Sequence, residues 1–331
     1  MSVYAGLDIG AYAVDLVTRQ ADKASKARRY KQTPEGHNAL IAQLKKAKPT
    51  LIVMEATGIY YFDLAVALVE AGLPVAVINP KSFRHFAELK LQTSKTDAID
   101  SDLLAEYGQR MAPGPWTPPD QHHQALRSLG RQINRLVGCR AQASNRLHAL
   151  KATRSTPSLL IEDEQEGITM LERRIDRLRQ AALELLAEAP ELQRRYQHLL
   201  AAKGIGEATA LSLLAELCVL PTSLKSGQIS RHAGLDVRQH QSGASVNRPA
   251  RISKAGNVYL RSALYMPALS AVRYDPNVKA FYEALVARGK KKIQALVAVM
   301  RKYLTGLWAC LKTDTPFDST RLFQTAGLQK A

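Results

Sequence analysis

The chain has 331 residues, 46% of them hydrophobic, with 46 Lys and Arg against 29 Asp and Glu and a formal charge of +17. That length supports more than one core; no run of about 18 apolar residues and no basic start before an apolar core marks a membrane span or a signal peptide. Cys139, Cys218 and Cys310 are odd in number and far apart, which argues against a disulfide framework or a zinc cluster and for a reducing, cytoplasmic setting.

The charge is uneven. From Pro221 onward 18 Lys and Arg stand against 5 Asp and Glu, a net +13, which leaves +4 for the preceding residues. Between Asp236 and Asp275 there is no acid, whereas Arg238, Arg248, Arg251, Lys254, Arg261 and Arg273 all occur. A surface of this kind fits nucleic-acid phosphate as its counterpart.

In chain order, residues 3 to 8 (VYAGLD) read as a buried strand ending in an acid, followed by a turn at Gly10 and a returning strand from Ala13 to Arg19. A third strand is expected near Arg28 to Gln32 and a short amphipathic helix from Gly36 to Lys46. LIVME, residues 51 to 55, is an apolar strand closed by Glu55. A helix from Tyr60 to Ala71, a strand PVAVI at 74 to 78 and a helix holding Phe83 and Phe86 follow. The stretch SKTDAIDSDLLAEY, residues 94 to 107, then puts Asp97 and Asp100 three residues apart on one face of a helix, with Ser94 as the expected N-cap.

Three early strands followed by alternating helices and strands describe an α/β domain of ribonuclease-H type over residues 1–112. In that layout the first and fourth strands are neighbours, so Asp8 and Glu55 lie side by side and the helix brings Asp97 and Asp100 over them. Four carboxylates in one place repel one another unless a cation relieves them, and oxygen ligands suit Mg2+ or Mn2+. Two such ions about 4 Å apart clamp a phosphodiester during in-line displacement.

Four prolines and a glycine in residues 111–120 mark a domain boundary. Residues 113–195 then hold a linker and two long helices, Gln124 to Thr153 and Gly167 to Ala187, joined near Pro157 as a hairpin or an oligomerising arm. The third region, 196–331, is mainly helical. It opens with AAKGIGEATALSLLAEL, where Gly204 and Gly206 precede a helix starting around Thr209, a helix-hairpin-helix pattern that points backbone N–H groups at phosphate. Residues 238 to 257 read as a basic loop presenting Ser242 and Ser245 among Arg248, Arg251 and Lys254, with Arg261 just beyond. A hydroxyl beside such cations is a candidate nucleophile toward phosphate, although serine next to glycine also serves simply as a turn.

Taken together, GLDIG with Asp8, MEATGIYY with Glu55, VINP, KTDAIDSDLLAEY with Asp97 and Asp100, GIGEATA, AGLDVRQHQSGASV and RISKAGNVYLRSALYMPA resemble the DEDD insertion-sequence transposases. That family includes the Piv-type DNA invertases and members guided by a bridge RNA, and the likeness runs nearly end to end. It implies a RuvC-like N-terminal domain with Asp8, Glu55, Asp97 and Asp100 as the metal-binding set, a coiled-coil insertion for dimer or tetramer formation, and a C-terminal transposase domain. The serine of its Ser-Gly-x-Ser motif falls on Ser242. The sequence departs from the family at Lys203, where a proline is often found, and at Asp236, where Thr-Pro is common. The implied activity is DNA strand transfer through a phosphoserine linkage, guided by a structured RNA. A RuvC-like junction nuclease using water needs the acids but not Ser242. An actin-like kinase or ATPase, also suggested by GLDIG, needs a second glycine-rich phosphate loop that the sequence lacks. A nucleic-acid-binding protein with a dead catalytic domain does not need all four acids.

Overall fold

A computed structural model describes residues 2–323 apart from Thr57, Ile59 and residues 92–95 and 243–245; for residues 240–249 no side chain is described. The chain divides into two compact units, Met1–Pro118 and Pro119–Ala331.

The first unit comprises β1 (Val3–Ile9), β2 (Ala13–Gln20), β3 (Lys23–Ala24), β4 (Arg28–Lys31), α1 (Pro34–Ala47), β5 (Leu51–Glu55), α2 (Tyr61–Glu70), β6 (Val75–Ile78), α3 (Pro80–Leu89) and α4 (Asp97–Met111). The sheet order is β3-β2-β1-β5-β6, with β4 also pairing with β2. β2 runs antiparallel to β1, whereas β5 and β6 are parallel to it. This is the mixed sheet anticipated for a ribonuclease-H-type domain, with β1 beside the apolar strand LIVME. The two-residue β3 had no apolar signal and was not anticipated.

Alternation along the strands sends successive residues to opposite faces. Ala5, Leu7, Ile52 and Met54 pack with Leu40 and Leu44 of α1 and Leu64 and Leu68 of α2. Burying each such leucine contributes about 2 kcal/mol. On the other face Val53 and Ile78 meet Phe83 and Phe86 of α3 and Leu103, Leu104 and Tyr107 of α4. Gly6 decides how close α4 comes: a Cβ there would lie 1.9 Å from the Ser101 carbonyl oxygen and 2.5 Å from the Ala105 nitrogen. Only glycine lets the helix backbone rest on β1. The unit runs on to Pro118 because the Trp116 N–H donates to the Val75 carbonyl at 2.7 Å and its ring packs edge-on to Phe62.

The second unit begins with α5 (Gln121–Ala152) and α6 (Ser158–Glu188). Ion pairs Arg146–Glu164 (2.7 Å) and Arg140–Glu172 (3.7 Å) run in opposite sequence order along the two helices, which are therefore antiparallel. Ala143, Leu147 and Ile168 form the apolar seam between them. Then come α7 (Pro190–Leu200), α8 (Glu207–Leu217), α9 (Ser226–His232), β7 (Val237–Ser242), β8 (Val246–Ile252), α10 (Val258–Ala263), α11 (Tyr265–Tyr274), α12 (Pro276–Ala287), α13 (Lys292–Thr313) and α14 (Ser319–Leu322). Tyr303, Leu304, Leu307 and Trp308 of α13 are buried in the core. The two polar atoms in this set are satisfied: the Tyr303 hydroxyl donates to the Lys203 carbonyl at 2.7 Å and the Trp308 Nε1–H to the Leu224 carbonyl at 2.9 Å.

The expected basic loop is instead an antiparallel hairpin of β7 and β8, with Arg238 opposite Arg251 and Ser242 opposite Val246. Its strands carry almost no apolar alternation, so backbone pairing makes it a sheet where side chains gave no such signal.

Candidate active site and nucleic-acid interface

Two strand ends and one helix entry build the candidate site. Asp8 lies near the end of β1, and Glu55 closes the neighbouring parallel β5, one residue beyond the Leu7–Met54 pair. Gly6 faces α4, so Asp8, two residues on, points to the same face. α4 starts at Asp97, putting Asp97 and Asp100 in its first turn, where the helix dipole favours carboxylates. Its N-cap is Thr96, whose hydroxyl accepts from the Ile99 N–H at 3.3 Å. The expected cap, Ser94, lies outside the described residues. Ser101 fixes the helix over the sheet by donating to the carbonyls of Asp15 (2.9 Å) and Asp97 (2.8 Å). Arg19 of β2 adds a 2.6 Å ion pair to Asp102.

These acids feel one another. The Asp8 carboxyl is pushed up to about 6 by burial and then by the charges of Asp100, Asp97, Asp15 and Glu55. An all-oxygen donor set that disfavours its own ionisation suits a hard divalent cation. Among the described residues, however, no three or more Asp, Glu, His or Cys side chains converge as a metal-ligating group. Asp97 is drawn toward Arg29 of β4, whose Nη1 lies 3.3 Å from Asp97 Oδ2 and 3.7 Å from Asp15 Oδ2.

The sequence reading passed over Asp15 and Arg29. Asp15 pairs directly across from Asp8, and Arg29 directly across from Asp15. The acid in VDLV was the available signal, but its alignment with Asp8 depends on the β1–β2 register.

The predicted nucleic-acid residues all belong to the second unit. Gly204 adopts a left-handed φ of +87° and has no room for a Cβ, which would meet the Pro267 carbonyl at 2.8 Å and the Ser270 side chain at 2.9 Å. Its glycine is thus demanded by packing against α11. Gly206 caps α8, which begins at Glu207 rather than near Thr209, and its carbonyl accepts from the Thr209 and Ala210 N–H groups. Space around Gly206 is open.

Arg238 and Arg251 are exposed cross-strand neighbours on the hairpin. Lys254 is exposed, has a φ of +50° and donates its N–H to the Gly234 carbonyl at 3.0 Å. Arg261 turns inward, with Nη1 donating to the Ala233 carbonyl at 2.9 Å, and so braces the turn beneath the hairpin. The side chains of Ser242 and Arg248 and the whole of Ser245 lie outside the described residues. Asp236, where the sequence departs from the resembled family, accepts a short hydrogen bond from the Ser253 hydroxyl and closes the hairpin base.

A further buried charge was missed although an acid inside the apolar run LLAEL signals it. Glu216 of α8 is 1% exposed. Arg131 of α5 donates to it from Nε (2.6 Å) and Nη2 (3.0 Å), Asn257 donates from Nδ2 (2.6 Å), and Arg127 Nε lies 3.6 Å away. Asn257 also caps α10, accepting from the Leu260 N–H at 3.1 Å, and its backbone N–H donates to the His232 carbonyl at 2.6 Å. The three cysteines are free thiols, and no helix among the described residues is long and apolar enough to cross a membrane.

Two family models match the chain in succession. A profile of DEDD-type IS110 transposases matches residues 5–152, and one described as transposase, IS116/IS110/IS902 family, matches residues 196–283. A pilin gene-inverting protein of Moraxella bovis is 32% identical over 270 residues, 81% of each chain. A probable family 20 transposase of Pseudomonas aeruginosa is 28% identical over 315 residues, 82% of this chain and 90% of its own. T. thermophilus RuvC in complex with a Holliday junction substrate covers 35% of this chain and 100% of its own at 18% identity and a TM-score of 0.29, a likeness too slight to build on.

Proposed function

The chain belongs to the IS116/IS110/IS902 family of transposases, and on that premise we propose that it moves or inverts DNA by cutting and rejoining strands through a metal-dependent acid site and the Ser242 hydroxyl. The observation that supports this reading is the closeness of Asp8 to Asp100, Asp97 and Glu55, whose charges add to burial in pushing the Asp8 carboxyl up to about 6. In the proposal these four residues hold Mg2+ or Mn2+, which when bound polarises the scissile phosphate and stabilises charge on the attacking and leaving oxygens.

Ser242 Oγ attacks phosphorus, the Oγ–P bond forms as one P–O bond of the DNA strand breaks, Oγ gives up its proton to solvent and the leaving strand oxygen takes one up as a hydroxyl. The hydroxyl of the exchanged strand then attacks the phosphoserine, rejoining DNA and returning the proton to Ser242. Each step exchanges one phosphoester for another, so no nucleotide cofactor is consumed. Arg238 and Arg251, exposed opposite each other on the same hairpin as Ser242, contact backbone phosphate in this reading.

Trapping the linkage tests the nucleophile. Wild-type protein with Mg2+ and its element DNA is expected to give a protein–DNA adduct on a denaturing gel, while Ser242→Ala binds the same DNA and gives none. An adduct from the alanine variant overturns the assignment; cut ends without any adduct from the wild type favour hydrolysis by water. We read the +13 C-terminal third as also holding a structured guide RNA. Sequencing nucleic acid that copurifies with the protein is expected to return one discrete RNA; a random population counts against a guide.

A further inference from the structure

The row of side chains beneath α4 extends beyond Asp8 and Glu55. Register partners across β1, β2 and β4 place Asp8, Asp15 and Arg29 in line on the face that α4 covers, and Glu55 follows the last β1–β5 pair, Leu7–Met54, as Asp8 does. Residues directly opposite in adjacent strands share a face, so this is a ladder of three carboxylates ending in a guanidinium. Asp97 comes down on it from α4. Arg29 Nη1 reaches both Asp97 Oδ2 (3.3 Å) and Asp15 Oδ2 (3.7 Å), bridging helix and sheet. Asp15 itself is only 8% exposed, whereas the Arg29 side chain is 65% exposed and has open water to swing into.

We propose that Arg29 is the resident counter-cation of this acid cluster, holding Asp97 toward Asp15, and that it gives way when a divalent ion takes Asp97. This rests on the metal reading of the acids above. It explains why these carboxylates stand close enough to repel yet do not gather as a ligand group: the partner of Asp97 is on β4. Asp15 becomes a positioning residue, since it anchors the inner side of the Arg29 bridge without belonging to the four assigned ligands. The single nitrogen Nη1 faces both carboxylates, and the exposure of the side chain keeps the bridge weak enough to exchange.

The test compares Mn2+ binding and thermal melting of the full chain in the wild type and in Arg29→Gln, Arg29→Lys and Arg28→Gln. Arg28 is the neighbouring exposed residue on the opposite face of β4, so its variant removes one positive charge without touching the bridge. Arg29→Gln is expected to bind Mn2+ about fivefold more tightly, the scale of losing one partly exposed ion pair as competitor. It should melt below the wild type without metal and recover that loss when Mn2+ is added. Arg29→Lys, which keeps the charge but loses the planar guanidinium, should fall between the two, and Arg28→Gln should match the wild type. Equal Mn2+ affinity in Arg29→Gln and the wild type overturns the proposal, as does equal tightening in Arg28→Gln, which would make the effect one of general charge. Absence of Mn2+ binding in every chain, wild type included, instead removes the metal reading on which it rests.

Discussion

Asp8→Asn is expected to stabilise the metal-free protein at pH 7 while lowering strand transfer more than about a hundredfold, the scale of losing one charge-stabilising group in a transition state. The Asp8 carboxyl titrates at about 6 in the fold against an ordinary value of 3.8. Below the lower value both the folded and the unfolded chain hold the proton, and Asp8 imposes no penalty. As pH rises from there the unfolded chain ionises first, and the folded state bears the full penalty once pH passes the higher value. Asparagine cannot ionise and escapes it. Allowing for solvent reach, the gain at pH 7 is on the order of 1 kcal/mol, a rise of a few degrees in melting temperature. At pH 4, just above the ordinary value, the gain should fall to a small part of its size at pH 7, and added Mg2+ should remove it at pH 7 by stabilising the ionised wild type. Melting curves at the two pH values, with and without Mg2+, check this; a variant less stable than wild type at pH 7 would mean that the acids do not repel as the geometry implies. Stability bought at the expense of activity is what a site built from like charges should give.

Much of that site was legible because it depends on local pattern. Asp8 and Glu55 each end an apolar run, which is how a strand delivers an acid to a sheet edge, and the three-residue spacing of Asp97 and Asp100 is a helix property. The neighbourhood of β1 and β5 followed from the order of elements alone. What was not legible depends on register. Asp15 sits in a strand of ordinary appearance and gains meaning only because it stands opposite Asp8, and Arg29 only because it stands opposite Asp15. A slip of one residue would turn either side chain to the other face. Arg261 and Gly204 illustrate the converse. Each fits a phosphate-binding pattern in sequence, yet tertiary packing gives each an internal job, bracing the Ala233 carbonyl in one case and admitting α11 in the other. The hairpin of β7 and β8 was missed because exposed polar strands carry no hydrophobic period to read.

Removal of the Glu216 carboxylate is expected to be the most damaging single change in the second unit. Burial alone would raise its ionisation range, but hydrogen bonds from Arg131 and Asn257 and the charges of Arg131 and Arg127 outweigh burial and hold it below the usual carboxylate value. Glu216→Ala leaves two arginines facing each other without their shared anion and leaves the Asn257 amide without its acceptor. Breaking a buried ion pair costs about 3 kcal/mol at the low end of its range, which applies here because the arginines can regain water. Their side chains are 39% and 32% exposed for Arg131 and Arg127. Glu216→Gln should recover only part of the loss, since its amide turns a donor toward donors. The wild-type contribution is present above the ordinary glutamate range and disappears as pH falls through the depressed folded value, so the gap between wild type and Glu216→Ala should narrow in acid. Urea denaturation at neutral and acidic pH measures that gap directly. Because Asn257 links Glu216 to the His232 carbonyl and to the first turn of α10, amide hydrogen exchange should quicken at residues 257–260 before the rest of the unit opens. Unchanged exchange there, together with a neutral-pH loss under about 1 kcal/mol, would mean that Glu216 is a satisfied charge with no structural consequence, and the base of the Ser242 hairpin would have to be held without it, by its backbone bonds and the Ser253–Asp236 and Arg261–Ala233 contacts.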